Sequence, residues 1–263
     1  MQFPFTKFQG TGNDFVIIDN RLLTFPKEDT DLIEKICTRR FGIGADGLML
    51  VEDAEGYDFR MVYYNADGRQ STMCGNGGRC IAAFSYLKEI AGKEGRFIAI
   101  DGPHDYCISP DGLVKLNMID VDSYEQSGDD YILFTGSPHY VRFVEDLDRA
   151  DMYEGGRVIR YSERFKAGGI NVNFVEKNEE VCGLRTYERG VEDETYSCGT
   201  GTVAAALSIA LKYNLQHGPV ELNTKGGKLN VHFDREGDTF KNVWLEGPAL
   251  KVAEGILDTE DFR

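Results

Sequence analysis

One stretch of this chain occurs twice, and that repetition constrains the fold more than any other feature. Thr72-Met73-Cys74-Gly75-Asn76-Gly77-Gly78-Arg79-Cys80-Ile81-Ala82-Ala83 runs on to Leu87-Lys88. Tyr196-Ser197-Cys198-Gly199-Thr200-Gly201-Thr202-Val203-Ala204-Ala205-Ala206 runs on to Leu211-Lys212. At a constant offset of 124 the pairs Cys74/Cys198, Gly75/Gly199, Gly77/Gly201, Ala82/Ala206, Leu87/Leu211 and Lys88/Lys212 are identical. Thr11-Gly12-Asn13 and Thr135-Gly136-Ser137 keep the same spacing. The period is far too long for a solenoid and indicates duplication of a whole domain.

Both copies place a cysteine and two glycines at the mouth of an Ala-rich run, which predicts a helix opening at each cysteine. The first N–H groups of a helix lack intrahelical partners and carry the positive end of its dipole. Each copy therefore reads as an anion site beside a thiol, in a field that favours thiolate and makes the cysteine a candidate base or nucleophile.

A chain of 263 residues, 41% hydrophobic and 28% charged, has the composition of a globular protein. The net charge of −15 argues against a nucleic-acid or anionic-membrane surface, since both need clustered Lys and Arg. No apolar run approaches the roughly eighteen residues of a membrane span. Met1-Gln2-Phe3-Pro4-Phe5-Thr6-Lys7 lacks a secretory apolar region, so a cytoplasmic location is expected. The six cysteines, Cys37, Cys74, Cys80, Cys107, Cys182 and Cys198, are expected to be reduced there. No Cys-x-x-Cys occurs and the histidines show no ligand spacing, so no metal is expected.

Along the chain, Gln9–Asp14 is a glycine-punctuated turn before the strand Phe15–Ile18. Thr30 or Asp31 is expected to cap a helix reaching Arg40, with Leu32, Ile33, Ile36 and Cys37 on one face. Strands Leu48–Val51 and Phe59–Tyr64 follow, and Asn65-Ala66-Asp67-Gly68 is a turn. The first Cys-Gly helix is predicted over roughly Gly75 to Ala91, with Gly92 as its stop. Phe97–Ile100, Tyr106–Ile108 and Leu113–Asn117 read as strands, and acidic Asp120–Asp130 as the linker between halves. In the second half Tyr131–Phe134 precedes the turn Thr135–His139, and Asp148–Arg164 is ambiguous between a short helix and a loop. Ile170–Glu176 and Cys182–Tyr187 are strands leading to the second Cys-Gly helix. Val220–Leu222, Lys228–Phe233, Asn242–Leu245 and Leu250–Val252 form a strand-rich tail. Many short strands with one long helix per half predict an α+β fold of two pseudo-symmetric domains, each a mainly antiparallel sheet wrapped around a central helix. The domains are expected at 1–117 and 118–249.

Two mirrored thiols suggest one chemistry. Inverting a stereocentre by proton transfer needs a base on one face of the carbon and an acid on the other, because a single base returns the proton to the face it left. One cysteine as thiolate and one as thiol supply both, and their protons titrate as a coupled pair. The N–H groups at Gly75/Asn76 and Gly199/Thr200 suit a carboxylate whose negative charge grows in a planar intermediate.

At these residues the chain resembles the diaminopimelate epimerases. The resemblance is carried by Gly10-Thr11-Gly12-Asn13-Asp14-Phe15, Asn65-Ala66-Asp67-Gly68, Met73-Cys74-Gly75-Asn76-Gly77 with Arg79-Cys80, Tyr187-Glu188-Arg189-Gly190 and Ser197-Cys198-Gly199-Thr200-Gly201-Thr202, in the family's order. It extends to Gly247-Pro248-Ala249, nearly the whole chain. It implies an isomerase without pyridoxal phosphate or other cofactor, converting LL-2,6-diaminopimelate to the meso form for lysine and peptidoglycan synthesis. A homodimer is usual in the family, and the resemblance also implies that the strand 250–263 packs back on the first domain. Carried over by position, Cys74 and Cys198 are the acid/base pair. Asn13, Asn65, Asn171 and Arg189 match substrate-binding positions, with Glu188 and His139 lining the site and Gly75, Asn76, Gly199 and Thr200 at the carboxylate. A guanidinium suits a distal carboxylate, a carboxylate such as Glu188 suits an ammonium, and Asn offers donor and acceptor together. Ser137 stands where Asn is common in the family, and Gly47 where some members carry Gln.

Plainer readings compete at several positions. Cys37, Cys107 and Cys182 lie in apolar runs and read as core residues, as does Cys80 within the helix. Asn13 and Asn65 suit turns for backbone reasons alone. Three other functions compete with the epimerase. A proline or hydroxyproline racemase would use the same cysteine pair. A cysteine hydrolase would use Cys198 as nucleophile and His139 as base. A thiol redox protein would work through a Cys74–Cys198 disulfide.

Overall fold

The computed structural model describes residues 1–178 and 182–262. The chain divides into two compact units, Met1–Leu116 with Pro248–Arg263, and Asn117–Gly247.

The first half contains β1 (Gln2–Gly10), β2 (Asn13–Asp19), α1 (Thr30–Cys37), β3 (Gly47–Glu52), β4 (Phe59–Asn65), β5 (Gln70–Ser71), α2 (Gly75–Leu87), β6 (Glu94–Ala99), β7 (Gly102–Ile108) and β8 (Val114–Asn117). The second contains β9 (Tyr124–Ser127), β10 (Asp130–Phe134), β11 (Pro138–Phe143), α3 (Met152–Arg160), β12 (Asn171–Lys177), β13 (Cys182–Glu188), β14 (Asp193–Thr195), α4 (Gly199–Tyr213), β15 (Val220–Thr224), β16 (Gly227–Glu236), β17 (Thr239–Gly247) and β18 (Leu250–Asp258). Shifted by 124, every element from β1 to β9 falls on or beside its counterpart from β10 to β18. The pairings repeat with the elements. β2 runs parallel to β3 as β11 does to β12, and β3 antiparallel to β4 as β12 does to β13. β4 runs parallel to β6 as β13 does to β15. Each half thus mixes parallel and antiparallel pairs with a majority of antiparallel ones, as expected for an α+β fold.

The strand that ends each repeat pairs with the strand that begins the other. β18 lies antiparallel to β1, with Phe3 opposite Leu257, so the chain's last strand belongs to the first unit. β9 lies antiparallel to β10, with Leu133 opposite Tyr124. The expected linker Asp120–Asp130 therefore contains β9 and the first residue of β10. Its periodicity is hidden because only Tyr124 turns inward, against Tyr131 at 6.2 Å between ring centroids. β1, unread in the sequence, buries Phe3 on one face and Thr6, Phe8 and Gly10 on the other, so its buried residues follow no single alternation. β11 likewise extends the expected turn at Ser137-Pro138-His139 into a strand.

Both long helices are buried nearly all round. α4 packs on β10, β11, β12, β13, β15, β16 and β17, and α2 on β1, β2, β3, β7 and β18. That is why their sequences are rich in Ala and Gly rather than amphipathic: small side chains let a sheet close on every face. α2 stops at Leu87, short of the expected Ala91. Glu89 takes a left-handed conformation, φ 56°, while Ile90 N–H bonds Ser85 O at 2.8 Å and Glu89 N–H bonds Tyr86 O at 3.1 Å. This is a Schellman end with glutamate in the glycine position, so Gly92 is not the stop. α4 ends the same way, with Asn214 left-handed and Leu215 N–H on Ala210 O. α1 is capped by Asp29 rather than Thr30 or Asp31 and ends at Cys37, leaving Leu32, Ile33, Ile36 and Cys37 buried as expected. The ambiguous stretch holds α3, capped by Asp151.

Candidate active site

Cys74 is the residue immediately before α2, in an extended conformation that lets its sulfur turn back over the helix end. Cys74 Sγ accepts the Gly77 N–H at 3.2 Å, the role a Ser or Asp oxygen fills at an ordinary helix start. Asn13 Oδ1 lies 4.0 Å from the same sulfur. Asn13 is held by Asp46, whose Oδ2 accepts its amide N–H at 2.6 Å. In the parallel register Phe15 stands beside Gly47, and in the antiparallel one Gly47 stands opposite Asn65. Asn13 and Asn65 therefore sit at the same edge of the first unit's sheet. Asn65 is exposed there, its backbone closing the turn through Gly68 N–H at 3.0 Å. A side chain at Gly47 would meet Tyr64 O at 2.4 Å, which explains the glycine.

The second unit repeats the frame with other chemistry. Cys198 precedes α4, but its side chain does not cap the helix; its sulfur lies 3.5 Å from Thr200 Oγ1. Thr200 is pinned by Thr135, which donates to its carbonyl at 2.8 Å, and by His139 Nε2 at 2.8 Å from its hydroxyl. Asn173 sets the histidine tautomer. Its Oδ1 accepts the Thr186 hydroxyl at 3.0 Å, and its amide nitrogen donates to Tyr140 O and to His139 Nδ1, both at 3.1 Å. His139 Nδ1 is thus an acceptor, Nε2 carries the proton and donates to Thr200, and the Thr200 proton is left to point toward Cys198. Burial drives the His139 pKa down to about 3, helped by the Arg189 charge, so the ring is neutral at physiological pH. With both nitrogens spent on Asn173 and Thr200, His139 is not set as a base for Cys198, which counts against the hydrolase.

Asn171 ties three strand ends together. It donates to Ser137 Oγ at 2.9 Å and Pro138 O at 3.1 Å, and accepts the Arg189 N–H at 2.9 Å. Arg189 is exposed, its guanidinium on Gly168 O at 2.9 Å and Ser137 Oγ at 3.5 Å. Glu188 accepts the Thr195 hydroxyl at 2.9 Å. Ser137, Asn171 and Arg189 thus form one hydrogen-bonded group and His139, Thr200 and Cys198 another, with His139 beside Asn171 in the register of β11 and β12, while Gly199 opens α4 as Gly75 opens α2.

Asn173 and Thr186 were not singled out by sequence, and Arg79 entered only as part of a motif, with no role. Asn-x-Asn within an apolar strand was the available signal for Asn173, since alternate residues share a face. Of the cysteines expected in the core, Cys37 and Cys80 are buried but Cys107 and Cys182 are only half-buried. Among the described residues no group of three or more His, Cys, Asp or Glu could hold a metal ion, and no helix is long and apolar enough to cross a membrane.

The diaminopimelate epimerase family model matches residues 5–118 and 131–252, both repeats. The diaminopimelate epimerase of Flavobacterium psychrophilum is 49% identical over 252 residues, covering 95% of this chain and 98% of that protein. That of Chlorobaculum tepidum is 42% identical over 257 residues, covering 94% and 98%. A solved phenazine biosynthesis protein of the PhzF family from Bacillus anthracis shares the fold, with a TM-score of 0.76 at 15% identity over 98% of this chain and 99% of that one. With both repeats matched and near-full-length relatives well above 30% identity, the chain belongs to the diaminopimelate epimerase family.

Proposed function

We propose that this protein is an isomerase that interconverts LL-2,6-diaminopimelate and meso-2,6-diaminopimelate by proton transfer at one α-carbon, with Cys74 and Cys198 as the two acid/base groups. The observation that carries the proposal is the recurrence, in a chain of this family, of one cysteine immediately before each of two glycine-opened helices. One thiolate removes the α-proton; the other thiol delivers a proton to the opposite face, and the roles exchange for the reverse reaction. Helix N-terminal N–H groups, at Gly75 and Asn76 and at Gly199 and Thr200, stabilise the charge that builds on the substrate carboxylate. Arg189 takes a distal carboxylate, and Asn13, Asn65, Asn171 and Glu188 complete the polar lining, with Ser137 and His139 positioning their neighbours. Thiol and thiolate suffice for this chemistry, so the reading includes no cofactor and no metal, and a chelator is expected to leave activity intact. A cytoplasmic homodimer serving lysine and cell-wall precursor synthesis belongs to the same reading; light scattering tests the dimer.

Proton NMR of the reduced protein with LL-diaminopimelate in deuterated water is the test. Deuterium at the α-carbon with formation of the meso isomer is the expected result. Exchange with proline or hydroxyproline alone would keep the chemistry and move the substrate. No exchange with any of these would overturn the reading.

A further inference from the structure

Arg79 is a buried cation without a counterion. Its side chain is fully buried inside the first unit, and among the described residues no carboxylate pairs with it. The guanidinium folds back onto the first turn of α2. It donates to Gly75 O at 3.1 Å, to Asn76 Oδ1 at 3.0 Å and to Thr11 Oγ1 at 3.1 Å, while its Nε has no partner. Burial lowers it to about 10, which still leaves it charged at neutral pH, and the nearby Cys80 and Cys74 sulfurs favour the charged form. A charge buried among neutral dipoles is costly unless an anion is available.

The surroundings leave one candidate for that anion. Of the strands packed on α2, β2 carries Asp14 and Asp19, β3 Glu52, β7 Asp105 and β18 Glu254 and Asp258. Each is already matched by a cation: Asp14 by Lys7 and Arg39, Asp19 by Arg21, Glu52 by Lys27, Asp105 by Arg96, Glu254 by Lys88 and Lys251, and Asp258 by the N-terminal ammonium. Asp46, which holds Asn13, shares Arg39, and Asp101, which accepts the Met73 N–H, faces His104. Burial pushes Cys80 upward and Tyr106 to about 12, so neither supplies a negative charge. Cys74 stands at the N-terminus of the same helix, its sulfur on the Gly77 N–H. At the equivalent position of α4, 124 residues on, stands Val203.

We propose that the buried Arg79 guanidinium is the countercharge that holds Cys74 as thiolate, so that Cys74 is poised as a base by a device Cys198 lacks. The proposal rests on the reading of Cys74 as an acid/base group. Arg79 acts through Cys74 and is a positioning residue. Its hydrogen bonds to Asn76 and Thr11 also orient the helix mouth, so a purely structural role must be separated from an electrostatic one.

The test is alkylation of Cys74 by iodoacetamide across pH, quantified on the Cys74 peptide by mass spectrometry. In the wild type half-maximal reactivity is expected at least one unit below about 8.5, the value of an ordinary thiol. Arg79→Gln, which keeps hydrogen-bonding groups but not the charge, should move the midpoint up by about one unit and cut alkylation at pH 7 roughly tenfold. Arg79→Lys, which keeps the charge but loses the planar fork, should leave the midpoint low even where turnover falls. An unshifted midpoint in Arg79→Gln, or a wild-type Cys74 titrating at or above 8.5, would overturn the proposal, and the second measurement needs no variant to fold. Retained epimerisation by Cys74→Ser would instead sink the catalytic reading of Cys74 and leave the coupling to be judged by alkylation alone.

Discussion

The two units share a frame and differ in what they put inside it. Beside α2 the first unit places Phe15 and Met49, and the second places His139 and Asn173 at the same positions beside α4. The glycine in the first turn shows the equivalence in space. A Cβ on Gly77 would lie 3.1 Å from Cys74 Sγ and 3.5 Å from Met49 Sδ, and one on Gly201 would lie 2.5 Å from Asn173 Oδ1 and 3.2 Å from Cys198 Cβ. The first cysteine therefore sits over an apolar floor with a buried cation in its helix, and the second over a neutral hydrogen-bonded network with Val203 in place of the cation. Duplication explains the common frame; the divergent interiors let one thiol be favoured as anion and the other be served by a hydroxyl donor.

The largest expected effect treats the two units alike. Cys74→Ser and Cys198→Ser should each lower inversion of LL-diaminopimelate about a thousandfold or more, since a hydroxyl is far too weak an acid to replace a thiol. Formation of the meso isomer from LL-diaminopimelate measures this, since one remaining thiol can exchange the α-proton without inverting the centre, and a variant of either cysteine that still inverts normally would break the equivalence.

The glycines should separate the units. Gly201→Ala forces a methyl against an Asn173 held by three neighbours and should cost about 2 kcal/mol. Gly77→Ala meets the ends of flexible side chains, and its clash is offset by a helix-propensity gain of about 1 kcal/mol, so it should be nearly neutral. Equal losses in urea unfolding would show that the two floors yield equally.

His139 gives a comparison in pH. Its folded pKa of about 3 lies below the unfolded value of about 6.5, so its burial as a neutral ring contributes fully above pH 6.5 and is progressively lost as pH falls toward 3. The stability difference between wild type and His139→Gln should therefore shift against the wild type by about 2 kcal/mol between pH 7 and pH 5. A difference that does not change with pH would remove His139 as the titrating group. Phe15, its counterpart, carries no such dependence.

The smallest expected effect concerns the exposed Arg189. Arg189→Ala should raise KM for diaminopimelate about tenfold with a lesser change in kcat, because it removes binding rather than proton transfer. An unchanged KM would take Arg189 out of the site. Its counterpart in the register of the first unit is Ala66, next to Asn65 as Arg189 is next to Glu188.

How much of this was legible in the sequence differs from residue to residue. Cys74, Cys198 and their glycines could be read because a helix start is a local event, written within about four residues of itself. The face Leu32, Ile33, Ile36, Cys37 was visible in its period, and the repeat showed in identities at a fixed spacing. The ends of both helices were not, because Glu89 and Asn214 in left-handed conformations are choices made by the packing around them. Nor was β9, whose single inward residue leaves no alternation to detect.

By itself, then, the sequence determined a duplicated α+β chain with a thiol at the mouth of each central helix and polar residues at fixed distances from it. Tertiary structure alone decided the register in which β18 joins β1, whose return to the first domain the family resemblance implied, because the two strands lie at opposite ends of the chain, and it alone made β9 a strand beside β10. It also decided that Asn173 fixes the tautomer of His139, 34 residues away, and that Arg79 is sealed from solvent without a carboxylate. Burial and pairing are properties of the packed interior, where the cost of an unmatched polar group depends on every neighbour at once.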